Sequence, residues 1–113
     1  MSNEIPQTSN RLTDATMDKQ AFETTRRLVE AAGLEILDSR YDRQSFGSWF
    51  ITAQTIPPLR IVWDGRDSYL YVQQESFELA HGSPLWNDCW MSKNPADQNP
   101  ENAAAQLLLL VKN

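Results

Sequence analysis

The chain has 113 residues, a formal net charge of −5 at pH 7 and a sequence pI near 4.7. This length suits one domain with its own hydrophobic core and is too short for two. A hydrophobic content of 41%, with four tryptophans, indicates a folded chain. The acidic balance argues against nonspecific binding to nucleic acid or anionic membranes, because both attract Lys and Arg. It favours a basic protein partner, although such acidity is also ordinary for a soluble bacterial protein.

The single cysteine, Cys89, restricts the chemistry further. One thiol forms no internal disulfide and no multi-cysteine metal site, and it is typical of a reducing compartment. The amino terminus lacks the basic start and apolar block of a secretory signal. The apolar residues 107–111 are too few to span a bilayer. We therefore expect a cytoplasmic protein, with no cofactor.

The chain begins with a polar stretch, residues 1–13, that predicts a flexible arm. Apolar residues then recur at three- and four-residue steps, which predicts a helix from residue 14 or 18 to residue 32. Gly33 stands where a left-handed residue commonly ends a helix. Three residues compete as the N-cap: Thr13, Asp14 and Thr16.

Three extended runs rich in β-branched and aromatic residues follow within residues 46–74. Pro57-Pro58 and an Asp-Gly-Arg-Asp turn separate them, and this pattern predicts strands linked by hairpins. Residues 34–37 form a further candidate strand, and the polar residues 38–44 are expected to form a connection.

The second hairpin predicts which side chains share a face. Its turn is either the pair Asp64-Gly65 or a four-residue loop over residues 64–67, and both give the same alternation. One face is expected to be core: Leu59, Ile61, Trp63, Leu70 and Val72. The other face carries Arg60, Val62, Tyr69 and Tyr71.

The first of the three runs is apolar on both sides. It places Phe46 and Phe50 on one side, and the other side carries Trp49, Ile51 and Ala53. Such a strand is either covered on both faces or meets a partner with its outer face.

The pattern weakens after residue 74. Residues 75–80 predict either a helical turn or an edge strand, and residues 81–84 have the composition of a loop. Residues 85–91, which are short, apolar and aromatic, predict a strand lying across the sheet.

The carboxyl-terminal segment predicts a helix over residues 100–111, with Asn99 as N-cap and Pro100 at the first helical position. Its four consecutive leucines, residues 107–110, cover the whole circumference of a helix. We therefore expect this helix to be buried all round, in its own fold or against a second subunit.

These elements together predict an α+β fold. We expect an antiparallel sheet of three to five strands, with an N-terminal and a C-terminal helix packed on one face. The arm and a single domain, residues 14–113, complete the predicted organisation.

The sequence contains few signs of catalysis. Its four glycines are scattered, so there is no phosphate-binding loop, and no serine lies in a nucleophile elbow. Asp64 and Asp67 are accounted for as turn residues. His81 and Cys89, with Asp88 as orienter, are the alternative: a small hydrolase or a small-molecule-binding protein. The simpler interpretation is a buried Cys89 and a loop His81, and these two residues are too few for a zinc site.

Trp86 and Trp90 are spaced by four, and we expect both to point the same way. They are interpreted either as plugs at the end of the core or as a protein-binding hot spot. In the second interpretation Arg60, Tyr69 and Tyr71 join them in the candidate binding site.

The segments FGSWFITAQ and LRIVWDGRDSYLYVQ resemble the hairpin core of small bacterial proteins of the toxin–immunity type, over residues 34–74. The resemblance implies a non-enzymatic domain that binds a toxin and blocks its site. A related possibility is a chaperone for a secreted effector, which predicts a homodimer through the C-terminal helix.

Overall fold

The computed structural model describes residues 17–80 and 82–111. The predicted arm, the three N-cap candidates and His81 lie outside the described residues. The described chain folds into two α-helices, five strands and a single 3-10 turn, Pro95–Asp97. In chain order the main elements are α1 (Lys19–Ala31), β1 (Ile36–Asp42), β2 (Ser48–Ala53), β3 (Leu59–Asp64), β4 (Tyr69–Ala80), β5 (Ser83–Ser92) and α2 (Pro100–Leu110).

The strands form one antiparallel sheet in the order β1-β2-β3-β4-β5. Both helices pack against each other and against the sheet. The predicted α+β fold, with helices at both ends of the chain, is confirmed.

The core lies between the helices and one face of the sheet, which we call the inner face. The strands contribute Trp49, Ile51, Ala53, Leu59, Ile61, Leu70 and Val72, all buried. From the helices, Phe22, Val29 and Leu107 close over them. The predicted core face of the β3–β4 hairpin is confirmed, with Trp63 half-buried at its edge.

Both helices are capped by short polar side chains. The Asp18 carboxylate accepts a hydrogen bond from the Ala21 amide at 3.1 Å and begins α1 at the later of the two predicted positions. Gly33, at φ 94°, follows the end of α1 as predicted. Asn99 caps α2 by accepting from the Asn102 amide at 2.8 Å.

The leucines of α2 correct one prediction. Leu107 is buried, but Leu108 is 36% exposed and Leu109 is 75% exposed. The helix lies on the surface of the sheet, so only one of its sides meets the core, and its burial within this chain is not all round.

The sheet extends further than the sequence pattern indicated. Residues 38–42 were predicted as a connection but belong to β1, whose alternate side chains face solvent at the edge of the sheet. Residues 75–80 and 83–84 belong to β4 and β5, so the loop predicted over residues 81–84 is too long. β5 is an antiparallel edge strand beside β4 rather than a strand across the sheet. In each case, pairing with a neighbouring strand stabilises the extended conformation of residues whose own strand propensity is weak.

The turn of the β3–β4 hairpin was also predicted wrongly. Asp64 pairs with Tyr69, so residues 65–68 form the loop. The Asp64 carboxylate accepts from the amides of Arg66 at 3.0 Å and Asp67 at 3.3 Å, which is the structural role expected for it. The true register of β3 and β4 is shifted from both predicted registers by an even number of residues. The side chains of the two strands therefore still lie on the faces predicted for them.

Phe46 does not share a strand face with Phe50. It lies in the loop before β2 at φ 60° and is 68% exposed. Its carbonyl oxygen lies against Gly65 in the β3–β4 loop. A Cβ added to Gly65 would lie 2.0 Å from this oxygen. The contact between these two loops therefore requires glycine at position 65.

Candidate functional site

The face of the sheet opposite the helices, which we call the outer face, carries a row of apolar side chains. Phe50, Val62, Tyr71 and Met91 are successive register partners on β2, β3, β4 and β5. We call these four residues the apolar row. The first three are half-buried and Met91 is 47% exposed, and among the described residues neither helix covers them. Arg40 of β1 continues the row at its end.

One side of the apolar row is acidic. Asp64 and Tyr69 are register partners beside it, and Asp42 lies at the β1 end. The Tyr69 and Tyr71 rings are 5.5 Å apart, and the Lys93 ammonium lies 4.8 Å from the centre of the Tyr69 ring. We call this side, with Asp42, Asp64 and Asp67, the acidic flank.

The other side holds a polar network whose members satisfy one another. The Arg60 Nε donates to the Gln73 Oε1 at 2.7 Å, and the Gln73 Nε2 donates to the Asp88 Oδ1 at 2.7 Å. The Arg60 guanidinium also lies 4.0 Å from the centre of the Trp86 ring, which is a close cation–π distance. We call this group the Arg60 network. It holds an indole ring in place on an open surface.

An open depression of about 560 Å³ lies between the two sides of the row. Phe50 and Val62 are among the residues that line it, with Arg40 and Asp42 at one end and Tyr71 and Gln73 towards β4. A concave surface with apolar side chains and a few polar groups around them is typical of a binding site.

Burial and nearby charges shift the pKa values of Arg60 and Tyr71. Burial lowers the pKa of Arg60, and the nearby Asp88 carboxylate partly offsets this. The pKa of Tyr71 is raised, first by desolvation and then by the negative charges of Asp64 and Asp88. Desolvation is thus the main cause of the raised Tyr71 pKa, and the carboxylates of Asp64 and Asp88 add to it.

The structure brings together four of the five predicted site residues. Arg60 and Trp86 stack on one side of the row, and on the other side Tyr69 packs against Tyr71 of the row. Trp90 does not join them, because it pairs with Val72 and packs against the core.

A β-bulge separates the two tryptophans. The register of β5 shifts between Trp90, opposite Val72, and Asp88, opposite Gln73, so that Cys89 is the extra residue. A bulge reverses the alternation of side chains beyond it. Trp86 therefore reaches the outer face, and the prediction that both indoles point the same way is wrong.

The site predicted from the sequence did not include Phe50, Val62, Gln73 or Met91. The predicted turns paired Arg60 with Tyr69 or Tyr71, whereas the actual loop places Gln73 opposite Arg60. Met91 joins the row only because of the bulge. The sequence signal that pointed to this surface was the strand around Phe50, whose side chains are apolar on both faces.

The alternative site gains little from the geometry. Cys89 is exposed, contrary to the expectation of a buried thiol, because the bulge lies on an edge strand. Its Sγ lies 3.8 Å from the Asn87 carbonyl oxygen, and Asp88 accepts from Gln73. His81 is outside the described residues. Within residues 17–80 and 82–111, no group of three or more His, Cys, Asp or Glu side chains is arranged to hold a metal ion.

No helix in the described part of the chain is long and apolar enough to cross a membrane. Comparisons of the chain with protein-family models, with curated proteins and with solved structures found no match.

Proposed function

We propose that this chain is a non-enzymatic protein-binding domain whose outer face docks a basic partner protein. The observation that carries the proposal is the apolar row, which crosses four strands on the face opposite both helices. Contiguous exposed apolar surface with a polar rim is typical of an interaction site.

The residue types on this face support the proposal. Trp, Tyr and Arg are the residues most enriched among interface hot spots, and Trp86, Tyr69, Tyr71 and Arg60 lie together here. The stacking of Trp86 on Arg60 restricts the indole before binding. A restricted side chain loses less entropy in a complex, so Trp86 is suited to act as an anchor.

The kind of partner follows from charge and from the resemblance to toxin–immunity proteins. The net charge of −5 and the acidic flank favour a basic protein and increase its rate of association. An inhibitor that covers the basic site of a toxin in the cytoplasm has these properties.

The test is a capture experiment with the tagged full chain in lysate of the native host. The proposal predicts one stoichiometric protein that binds the natural chain and is lost with the Tyr71→Ala/Trp86→Ala variant. An Arg27→Ala variant, changed at an exposed position of α1 on the opposite side of the sheet, is the matched control and should retain the partner. Equal capture by the double variant would show that the outer face is not the docking surface.

A second candidate, a dimeric effector chaperone, is favoured by one observation, the 75% exposure of Leu109 on α2. It predicts a homodimer at micromolar concentration that Leu109→Lys dissociates. Light scattering after size exclusion measures this directly, and a monomeric natural chain would remove this candidate.

A further inference from the structure

We infer that the partner docks an amphipathic α-helix across the strands, with its apolar stripe on the apolar row and Lys or Arg side chains over the acidic flank. This inference rests on the proposed function, because it names what the outer face receives.

The direction and length of the row suit a helix. Its four members are register partners, so the row runs perpendicular to the strands. Neighbouring strands lie about 4.8 Å apart, so Phe50 and Met91, three intervals apart, are separated by about 14 Å. A helix rises about 1.5 Å per residue, so about ten residues span the row. Apolar residues at i, i+3, i+7 and i+10 would meet its four members in turn.

The hydrogen-bonding requirement of the backbone excludes an isolated extended segment, one that is not part of a partner's own sheet, at this place. A strand can pair only at the edge of a sheet, and one lying flat on the outer face would bury its own amide and carbonyl groups without partners. A helix satisfies those groups internally and offers only side chains. A helix can therefore dock on the outer face and an isolated strand cannot, although both can present apolar side chains.

The charges on the two sides of the row are unequal. In the Arg60 network, Arg60, Gln73 and Asp88 bind one another. On the acidic flank, within the described residues, Asp64 accepts from amides of its own loop. Asp42 accepts from the Gln44 amide at 3.0 Å and the Ser45 hydroxyl at 2.9 Å and forms a long 3.7 Å ion pair with the exposed Arg40. Cationic side chains of a docked helix would meet Asp64 and Asp67 on that side, where Arg66 and Lys93 also lie. On the other side they would meet Asp38, whose register places it beside Thr52 and Arg60.

The helices of this chain do not fit the description. α2 contains one charged residue, Glu101, and would bring a negative charge to the acidic flank of a second copy. The apolar side of α1 is buried in the core. With neither described helix suitable, we assign the occupant to a different protein.

The inference is tested with three synthetic peptides of about 14 residues, long enough to cross the row. The first has Leu at helical spacing and Lys elsewhere, and the second replaces Lys with Glu. The third has the composition of the first with Leu and Lys alternating as in a strand. Each is titrated into the isotope-labelled full chain, and amide and methyl chemical shifts are followed by NMR.

We expect the first peptide to bind at least about tenfold more tightly than the other two. Its shifts should centre on Phe50, Val62, Tyr71 and Met91. A Val62→Lys variant should weaken binding about tenfold, because a charge then lies in the middle of the row. The Leu109→Lys variant, changed on the opposite side of the molecule, should bind normally.

Several results would overturn the inference: no binding by the first peptide, equal binding by the Glu or alternating peptide, or shifts centred on the edges β1 and β5. A further contrary result is coverage of the outer face before peptide is added, by a second copy or by residues 1–16, seen as a dimer or as new shifts in a chain lacking those residues. If any of these occurs while lysate capture still depends on Tyr71 and Trp86, the proposed function stands and only the helical occupant is wrong.

Discussion

The two faces of the sheet are built from the same three central strands but differ in what covers their apolar side chains. On the inner face Ile51, Ile61 and Val72 are fully buried beneath the helices. On the outer face Phe50, Val62 and Tyr71, each one position away from them along its strand, are only half-buried. Alternation along a strand thus assigns one of two adjacent residues to the core and the other, in the proposed function, to binding.

The apolar residues of the outer face are not needed for folding in the way that those of the inner face are. A solvent-facing sheet surface needs only polar side chains for solubility, and its apolar residues add little to folding while they stay exposed. Their presence together with the preformed Arg60 network is best explained by a partner that completes their burial.

The largest expected effect separates the faces directly. Ile61→Ala should lower the free energy of unfolding by about 3 kcal/mol, because it leaves a cavity in the closed core. Val62→Ala, at the next position, should cost less than about 1 kcal/mol. Urea unfolding of both variants measures the contrast, and equal losses would mean that the outer face is as well packed as the core.

The second effect tests the loop contact that joins the ends of the two hairpins. Gly65→Ala should lower the free energy of unfolding by about 2 kcal/mol, since the added Cβ meets the Phe46 carbonyl and the loops must separate. Arg66→Ala, in the same loop but exposed, should stay within about 0.5 kcal/mol of the natural chain. Thermal unfolding of the pair checks this, and a silent Gly65→Ala would contradict the close approach.

A smaller effect is expected for the Arg60 network. Arg60→Ala should destabilise the fold by only about 1 kcal/mol, because the cation–π contact and the hydrogen bond to Gln73 lie at the surface. The same change should release the Trp86 ring, seen as loss of its ring-current shift on the neighbouring protons in NMR spectra. A loss as large as that of Ile61→Ala would place Arg60 among the core residues instead.

The smallest effect depends on pH. The pKa of Tyr71 is raised in the folded chain, so the folded state holds the phenol proton more tightly than the unfolded chain does. The resulting stabilisation is fully present below pH of about 10, the ordinary tyrosine pKa, and is lost as the pH rises through the folded value. Tyr71→Phe should therefore lose less stability than the natural chain between about pH 9 and pH 11. Denaturant unfolding at these pH values would contradict this if the two curves were parallel.

Local pattern predicted much of the fold. Both helices, the Asn99 cap and the alternation of β3 and β4 follow from periodicity and short-range chemistry. Pairing partners did not follow, because they depend on loop lengths and on neighbours distant in sequence. The polar residues of β1 form a strand only because β2 lies beside them.

The site shows the same division. Arg60, Tyr69 and Tyr71 could be assigned to one face because alternation does not depend on the exact turn. The separation of Trp86 from Trp90 could not be predicted, since the bulge at Cys89 leaves no sequence signal of its own. The one extra residue in β5, Cys89, places Trp90 against the core and Trp86 on the outer face.

The measurement that tests the central claim most directly compares two single charges on opposite sides of the molecule. Val62→Lys places a cation in the apolar row, and Leu109→Lys places one on the exposed side of α2. With both variants folded, we predict that lysate capture by Val62→Lys loses the stoichiometric partner and that capture by Leu109→Lys retains it. Retention by Val62→Lys with loss by Leu109→Lys would contradict the account and move the docking surface to the C-terminal helix.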